Sequence, residues 1–268
     1  MPALGAGGRE FESRLPDKAV CKATRRFFMK YKAVFIDIDD TLLDYIPCCR
    51  EAFDFAINTL SGEAGLYSVS PKDGLSVEDG LFQLFFAISG RLFSEAKRGL
   101  HTVAEVMELY PAEFCERAGY PVEAVDPFKH AFRAAWGKTH TLVPEAQETL
   151  EALRDKGYRL FAASNSFGHL QRSRLEHAGI LHYFEDTFIS MDLGYDKPDI
   201  RFYQEALRRA HLRPEEVLMV GDSMTTDVFG AKAAGIEAVY FNRRNEPITD
   251  TPSPVNVISS LSEILKYV

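Results

Sequence analysis

Short apolar runs alternate with amphipathic stretches along most of the chain, which is the pattern of a parallel α/β sheet with crossover helices. Five runs, about 32–38, 158–163, 187–190, 217–220 and 238–241, are too short for helices and rich in Val, Ile and Phe, so they read as buried strands. Between them, Ala146, Leu150 and Leu153 share one helical face that Gly157 stops, and Phe202, Tyr203, Ala206, Leu207 and Ala210 form a second stripe. The alternation breaks between about Ile46 and His140. There Phe53, Ala56, Ile57 and Leu60 fall at i, i+3, i+4 and i+7, with no comparable strand-like run, and Ser61 to Gly80 reads as a loop.

The expected fold class is therefore α/β: a Rossmann-like parallel sheet core, residues 29–45 and 141–268, with a helical cap, residues 46–140, inserted after the first strand. Residues 1–28 carry no periodicity and are expected to be a disordered or non-native extension, with Met29 standing where translation could itself begin.

Composition narrows the function. The 268 residues are 46% hydrophobic and 26% charged with a formal charge of −8, which disfavours nucleic acid or an anionic membrane as a general partner but leaves room for a small anion in a locally positive pocket. Cys21, Cys48, Cys49 and Cys115 show no CxxC spacing and the seven histidines no HxxxH, so neither a disulfide framework nor a zinc site is expected. Without an apolar leader or a long apolar segment, the expected setting is cytoplasmic and the expected state a monomer or homodimer.

The chemistry gathers at the strand ends. VFIDIDDTLLD, Val34 to Asp44, places Asp37, Asp39, Asp40 and Asp44 directly behind the first strand, and clustered carboxylates imply a cation, a shared proton or solvent exposure. The other strands end in Ser164-Asn165, in Asp192 through Lys197-Pro198, and in Gly221-Asp222-Ser223 with Asp227. In an open parallel sheet these ends share one edge, and carboxylates with a lysine and a hydroxyl there suit Mg²⁺ beside a bound anion.

Asp37-x-Asp39-x-Thr41, Ser164, Lys197-Pro198 and Gly221-Asp222-Ser223-x-x-x-Asp227 resemble the four ordered motifs of the haloacid dehalogenase (HAD) superfamily, over about Lys32 to Phe241. The resemblance implies an aspartyl-phosphate mechanism with Asp37 as nucleophile, Asp39 as general acid and base, and Lys197 neutralising charge. It implies Mg²⁺ held by Asp37, the Asp39 backbone carbonyl and Asp222, with Thr41 and Asp227 behind them. Ser164, Lys197 and the backbone around Asp40 and Asn165 would hold the phosphoryl oxygens. A second aspartate separates this chain from the metal-free dehalogenases, so a phosphatase for a small phosphorylated substrate is expected. The stretches LGYDKPDIRFYQEAL and MVGDSMTTDVFGAKAAGIEAVYFNRR resemble the bacterial pyrimidine 5′-nucleotidases, with a phosphatase for a small metabolite such as phosphoglycolate or a sugar phosphate as the alternative, and a metal-free dehalogenase or a non-catalytic HAD-like binding protein behind it. Tyr45, Phe82, Phe85, Phe86 and Phe93 are read mainly as cap core, Asp40 and Asp44 as solvated or helix N-terminal charges, and Ser166, His169 and Arg174 as helix-start and surface residues.

Overall fold

The computed structural model describes residues 30–64, 77–248 and 255–268; the 1–28 stretch and residues 65–76 of the expected loop lie outside them. Six strands form one parallel sheet in the order β3-β2-β1-β4-β5-β6. They are β1 Ala33–Ile36, β2 Arg159–Ser164, β3 Asp186–Ile189, β4 Val217–Gly221, β5 Glu237–Phe241 and β6 Asn256–Ile258. The first five coincide with the five apolar runs. β6 was not expected: it has three residues, two of them exposed, and so leaves no apolar run to read.

β1 shows why the sheet is central. Val34 and Ile36 point into one core, with Leu150 and Leu153 of helix α5 (Ala146–Lys156), while Ala33 and Phe35 point into the other, with Phe202 and Ala206 of helix α7 (Ile200–Ala210). A strand covered on both faces reads as a continuous apolar run, as AVFI does. Gly157, with φ of 94°, ends α5 in the left-handed conformation that favours glycine.

The segment after β1 is helical: α1 Tyr45–Ala64, α2 Val77–Lys97, α3 Val103–Ala118 and α4 Val125–Trp136. These helices share a third core in which Phe53, Phe85, Phe114, Phe128 and Phe132 meet edge-on, tilted or, for Phe128 and Phe132, stacked, at centroid distances between 4.9 and 6.2 Å. The expected loop over residues 61–80 is shorter at both ends, because α1 runs on to Ala64 and α2 begins at Val77. Ser61, read as a loop former, returns its hydroxyl to the Ile57 carbonyl at 3.0 Å and is absorbed into the helix. No helix among the described residues is long and apolar enough to cross a membrane.

Candidate active site

β1 and β4 are neighbours paired as Ile36 with Val220, so Asp37 and the Gly221-Asp222 pair leave the sheet side by side. Connections diverge to either side of this crevice, the place where open α/β sheets hold ligands. The Asp37 amide donates to the Val220 carbonyl at 2.9 Å, which fixes the backbone of the first carboxylate against the second strand. Gly221 is required here: a Cβ on it would stand 2.3 Å from the Asp227 carboxyl.

Lys197 is 3% exposed and holds the centre together. Its Nζ donates to Asp37 Oδ1 at 2.7 Å, to Asp227 Oδ1 at 2.6 Å and to the Ala163 carbonyl at 2.8 Å. Asn165 clamps the lysine backbone from both sides, accepting from the Lys197 amide and donating to the Lys197 carbonyl, both at 2.8 Å. Thr41 is buried with its hydroxyl 3.5 Å from Asp37 Oδ2. The Ser164 hydroxyl accepts from Gln171 Nε2 at 2.9 Å.

Burial pushes the Asp37 carboxyl up to about 7, with Lys197 opposing and Asp227 and Asp39 adding to the rise. Asp222 is also held well above the usual carboxylate range, by burial first and then by Asp37 and Asp227, with the Lys97 ammonium of α2 pulling the other way. Burial works to lower Lys197, but the adjoining Asp227 and Asp37 outweigh it and hold the ammonium above its ordinary value. The centre is thus a crowded set of carboxylates with one buried cation among them, and further positive charge would relieve it.

One oxygen from each of Asp37, Asp222 and Asp227 lies within 4.8 Å of the other two. An all-oxygen donor set of this kind suits a hard divalent cation such as Mg²⁺. Asp227 has both oxygens engaged, one by Lys197 and the other by the Ser223 amide at 3.0 Å, in keeping with a place behind the primary ligands.

Two expectations need correction. Arg174 is not a surface residue: it is fully buried, and its Nη1 donates to Asp39 Oδ1 at 2.6 Å. Ser166 is buried as well and caps nothing, since helix α6 (Gly168–His177) has Phe167 at its N-cap with no side-chain cap bond, while His169 is exposed as expected. Within the backbone around Asp40, the Asp40 amide itself is bonded to the Leu43 carbonyl at 2.7 Å, because Asp40, with φ of 59°, turns the chain back on itself there.

The Asp40 carboxylate accepts from the Tyr45 amide at 3.1 Å, supporting the start of α1, and from Arg244 at 2.6 Å. Asp44 takes a two-pronged contact from Arg243, both bonds at 2.9 Å, and that pairing holds its carboxyl below the usual range. Sequence reasoning missed both arginines, and also Gln171, whose Nε2 reaches Asp39 Oδ2 at 2.7 Å.

A cavity of about 980 Å³ runs from Asp37, Asp39, Ser164, Lys197 and Asp222 up to the helical layer, where Tyr45, Phe93, Tyr110, Phe132 and Trp136 line it. Of the aromatics read as core, Phe85 is buried yet reaches the wall, and Tyr45 and Phe93 face the cavity; Phe132 and Trp136 were not singled out in the sequence.

A six-stranded parallel sheet with this acidic and lysine-centred edge, roofed by an inserted helical layer, defines a Rossmann-like hydrolase. Residues 31–235 match the haloacid dehalogenase-like hydrolase family, and the chain belongs to it. It is 30% identical to a glyceraldehyde 3-phosphate phosphatase of Methanothermobacter thermautotrophicus over 238 residues, 87% of this chain and 97% of that protein. It is 28% identical to the Escherichia coli pyrimidine 5′-nucleotidase YjjG over 243 residues, 88% and 97% of the two chains. In fold it is similar to the Bacillus subtilis putative HAD-hydrolase YfnB, with a TM-score of 0.74 at 24% identity over 89% of this chain and 99% of that one. The chain is a phosphatase of this family.

Proposed function

We propose that the protein hydrolyses nucleoside 5′-monophosphates, pyrimidine nucleotides foremost, with Mg²⁺ as cofactor. The observation that carries this reading is the cavity: about 980 Å³, open from the carboxylate cluster to an aromatic wall that includes Phe93, Phe132 and Trp136. A phosphate at Asp37 leaves room above it for a ribose and a base, and flat rings are what an aromatic wall receives best. The 28% identity to a pyrimidine 5′-nucleotidase over most of both chains supports the same reading.

In this account the Asp37 carboxylate attacks phosphorus in line with the leaving oxygen, and Asp39 gives that oxygen a proton as it departs. Water then attacks phosphorus, Asp39 takes the proton, and the bond from phosphorus to Asp37 breaks to release inorganic phosphate. Lys197, bonded to Asp37 and Asp227, holds the nucleophile in place and balances charge on the phosphoryl group, which Ser164 also contacts. Asp37, Asp222 and the Asp39 carbonyl would hold Mg²⁺, which supplies charge neutralisation at the phosphoryl oxygens.

The test is phosphate release at saturating Mg²⁺ from UMP, dUMP, dTMP, CMP, AMP, GMP, phosphoglycolate and glyceraldehyde 3-phosphate, with Asp37→Asn as blank. Preference for the pyrimidine monophosphates supports the proposal. Preference for phosphoglycolate or the sugar phosphate overturns the nucleotide assignment in favour of a small-metabolite phosphatase.

A further inference from the structure

Helix α6 is polar in sequence, GHLQRSRLEH, yet two of its polar side chains, Gln171 and Arg174, have no exposed surface at all. They stand at i and i+3, so they share one face, and that face is turned to Asp39. Gln171 Nε2 donates to Asp39 Oδ2 at 2.7 Å and Arg174 Nη1 to Asp39 Oδ1 at 2.6 Å, one donor for each carboxylate oxygen. A further bond, from Arg174 Nη1 to Gln171 Oε1 at 2.8 Å, ties the two donors together.

The guanidinium is seated from the helical layer. Its carbon lies 3.9 Å from the centroid of the Trp136 ring, and its Nε points to the Thr139 carbonyl at 3.3 Å in the segment returning to the core. Trp136 in turn stacks on Phe132 at 5.9 Å, and both rings line the cavity. One side chain therefore joins the wall that would meet a leaving group to the carboxylate that would protonate it.

Burying a guanidinium carries a large desolvation penalty before its contacts are counted, and an apolar side chain would fill the same space at less cost. The arrangement is explained by a requirement at Asp39. We infer that Arg174, with Gln171, is a positioning residue for Asp39 in the first chemical step. This inference rests on the phosphatase reading but not on which ester is the substrate. In that step the bond from Asp37 to phosphorus forms, the bond from phosphorus to the leaving oxygen breaks, and the proton on Asp39 passes to the leaving oxygen, giving the free alcohol. Held from both sides, the carboxyl has one location; without its two donors it turns about its own torsions and meets the leaving oxygen less often.

The test compares kcat/KM, which reports the steps through departure of the leaving group, for p-nitrophenyl, phenyl and benzyl phosphate. The three leaving groups are similar in size, but nitrophenolate departs without a proton and benzyl alkoxide does not. Arg174→Gln is expected to lose about 100-fold on benzyl phosphate and under about 10-fold on p-nitrophenyl phosphate, the range over which a general acid contributes. Gln171→Met, which leaves the buried charge in place, is expected to show the same ordering more weakly, and it carries the comparison should Arg174→Gln fail to fold by its thermal melt. Equal losses on all three esters in the folded variants would reduce the pair to a structural role and overturn the inference. A wild type that opens none of the three overturns the phosphatase reading itself.

Discussion

Replacing Asp37 by Asn should stabilise the metal-free protein at alkaline pH. Asp37 is buried with its carboxyl pushed up to about 7 from an ordinary value of 3.8. A carboxyl of this kind binds more protons in the folded chain than in the unfolded one between those two values, so its own contribution to stability is fully present below pH about 4 and is lost as pH rises towards 7. The interval from 3.8 to about 7, at about 1.36 kcal/mol for each pH unit, makes that loss about 4 kcal/mol. Asparagine has the same shape and no charge, so the variant does not suffer it. Thermal melts in chelator at pH 8 should place Asp37→Asn about 10 °C above wild type, since 1 kcal/mol moves a chain of this size by about 2–4 °C. The difference should shrink steadily as pH falls to 4. Adding Mg²⁺ should raise wild type towards the variant, because a ligand bound only by the folded chain stabilises it. A wild type as stable as the variant at pH 8 without metal, or a gap that ignores pH, would refute the electrostatic picture of the site.

Lys197→Met leaves Asp37 and Asp227 facing each other without their cation, so stability at pH 8 should drop by about 3–5 kcal/mol in chemical denaturation and partly return at pH 5. Its phosphate release should fall by at least about 100-fold, because charge on the nucleophile and the phosphoryl group goes unbalanced. Gly221→Ala brings a Cβ to 2.3 Å from the Asp227 carboxyl and must push it off Lys197. Its kcat should fall on the order of 10- to 100-fold, since the lysine that steadies Asp37 is displaced with it, and steady-state kinetics on p-nitrophenyl phosphate checks this.

What the sequence makes legible follows from where each signal lies. The five longer strands are apolar on both faces because both faces are covered, and that leaves runs such as VLMV in plain sight. β6, half exposed at the sheet edge, leaves none. Asp37, Asp39, Ser164, Lys197 and Asp222 stand at the carboxyl ends of strands or on the segments that follow them, so knowing the sheet is parallel is enough to bring them to one edge, and all five line one cavity. Arg174 and Gln171 were hidden for the opposite reason. Their partner Asp39 lies 135 and 132 residues away, and a polar side chain on a polar helix gives no sign that it faces inward. The left-handed turn at Asp40, which takes up its own amide, was hidden in another way, since no glycine marks it.

The central claim, that Asp37 carries the phosphoryl group, is tested most directly by trapping it. Wild type and Asp39→Asn would be mixed with p-nitrophenyl phosphate and Mg²⁺, quenched in acid and reduced with borohydride, which converts an aspartyl phosphate to homoserine that peptide mass spectrometry can place. Homoserine at position 37, accumulating further in Asp39→Asn where the activation of water is impaired, is the predicted result. Homoserine at another aspartate, or turnover with none in either protein, would contradict it.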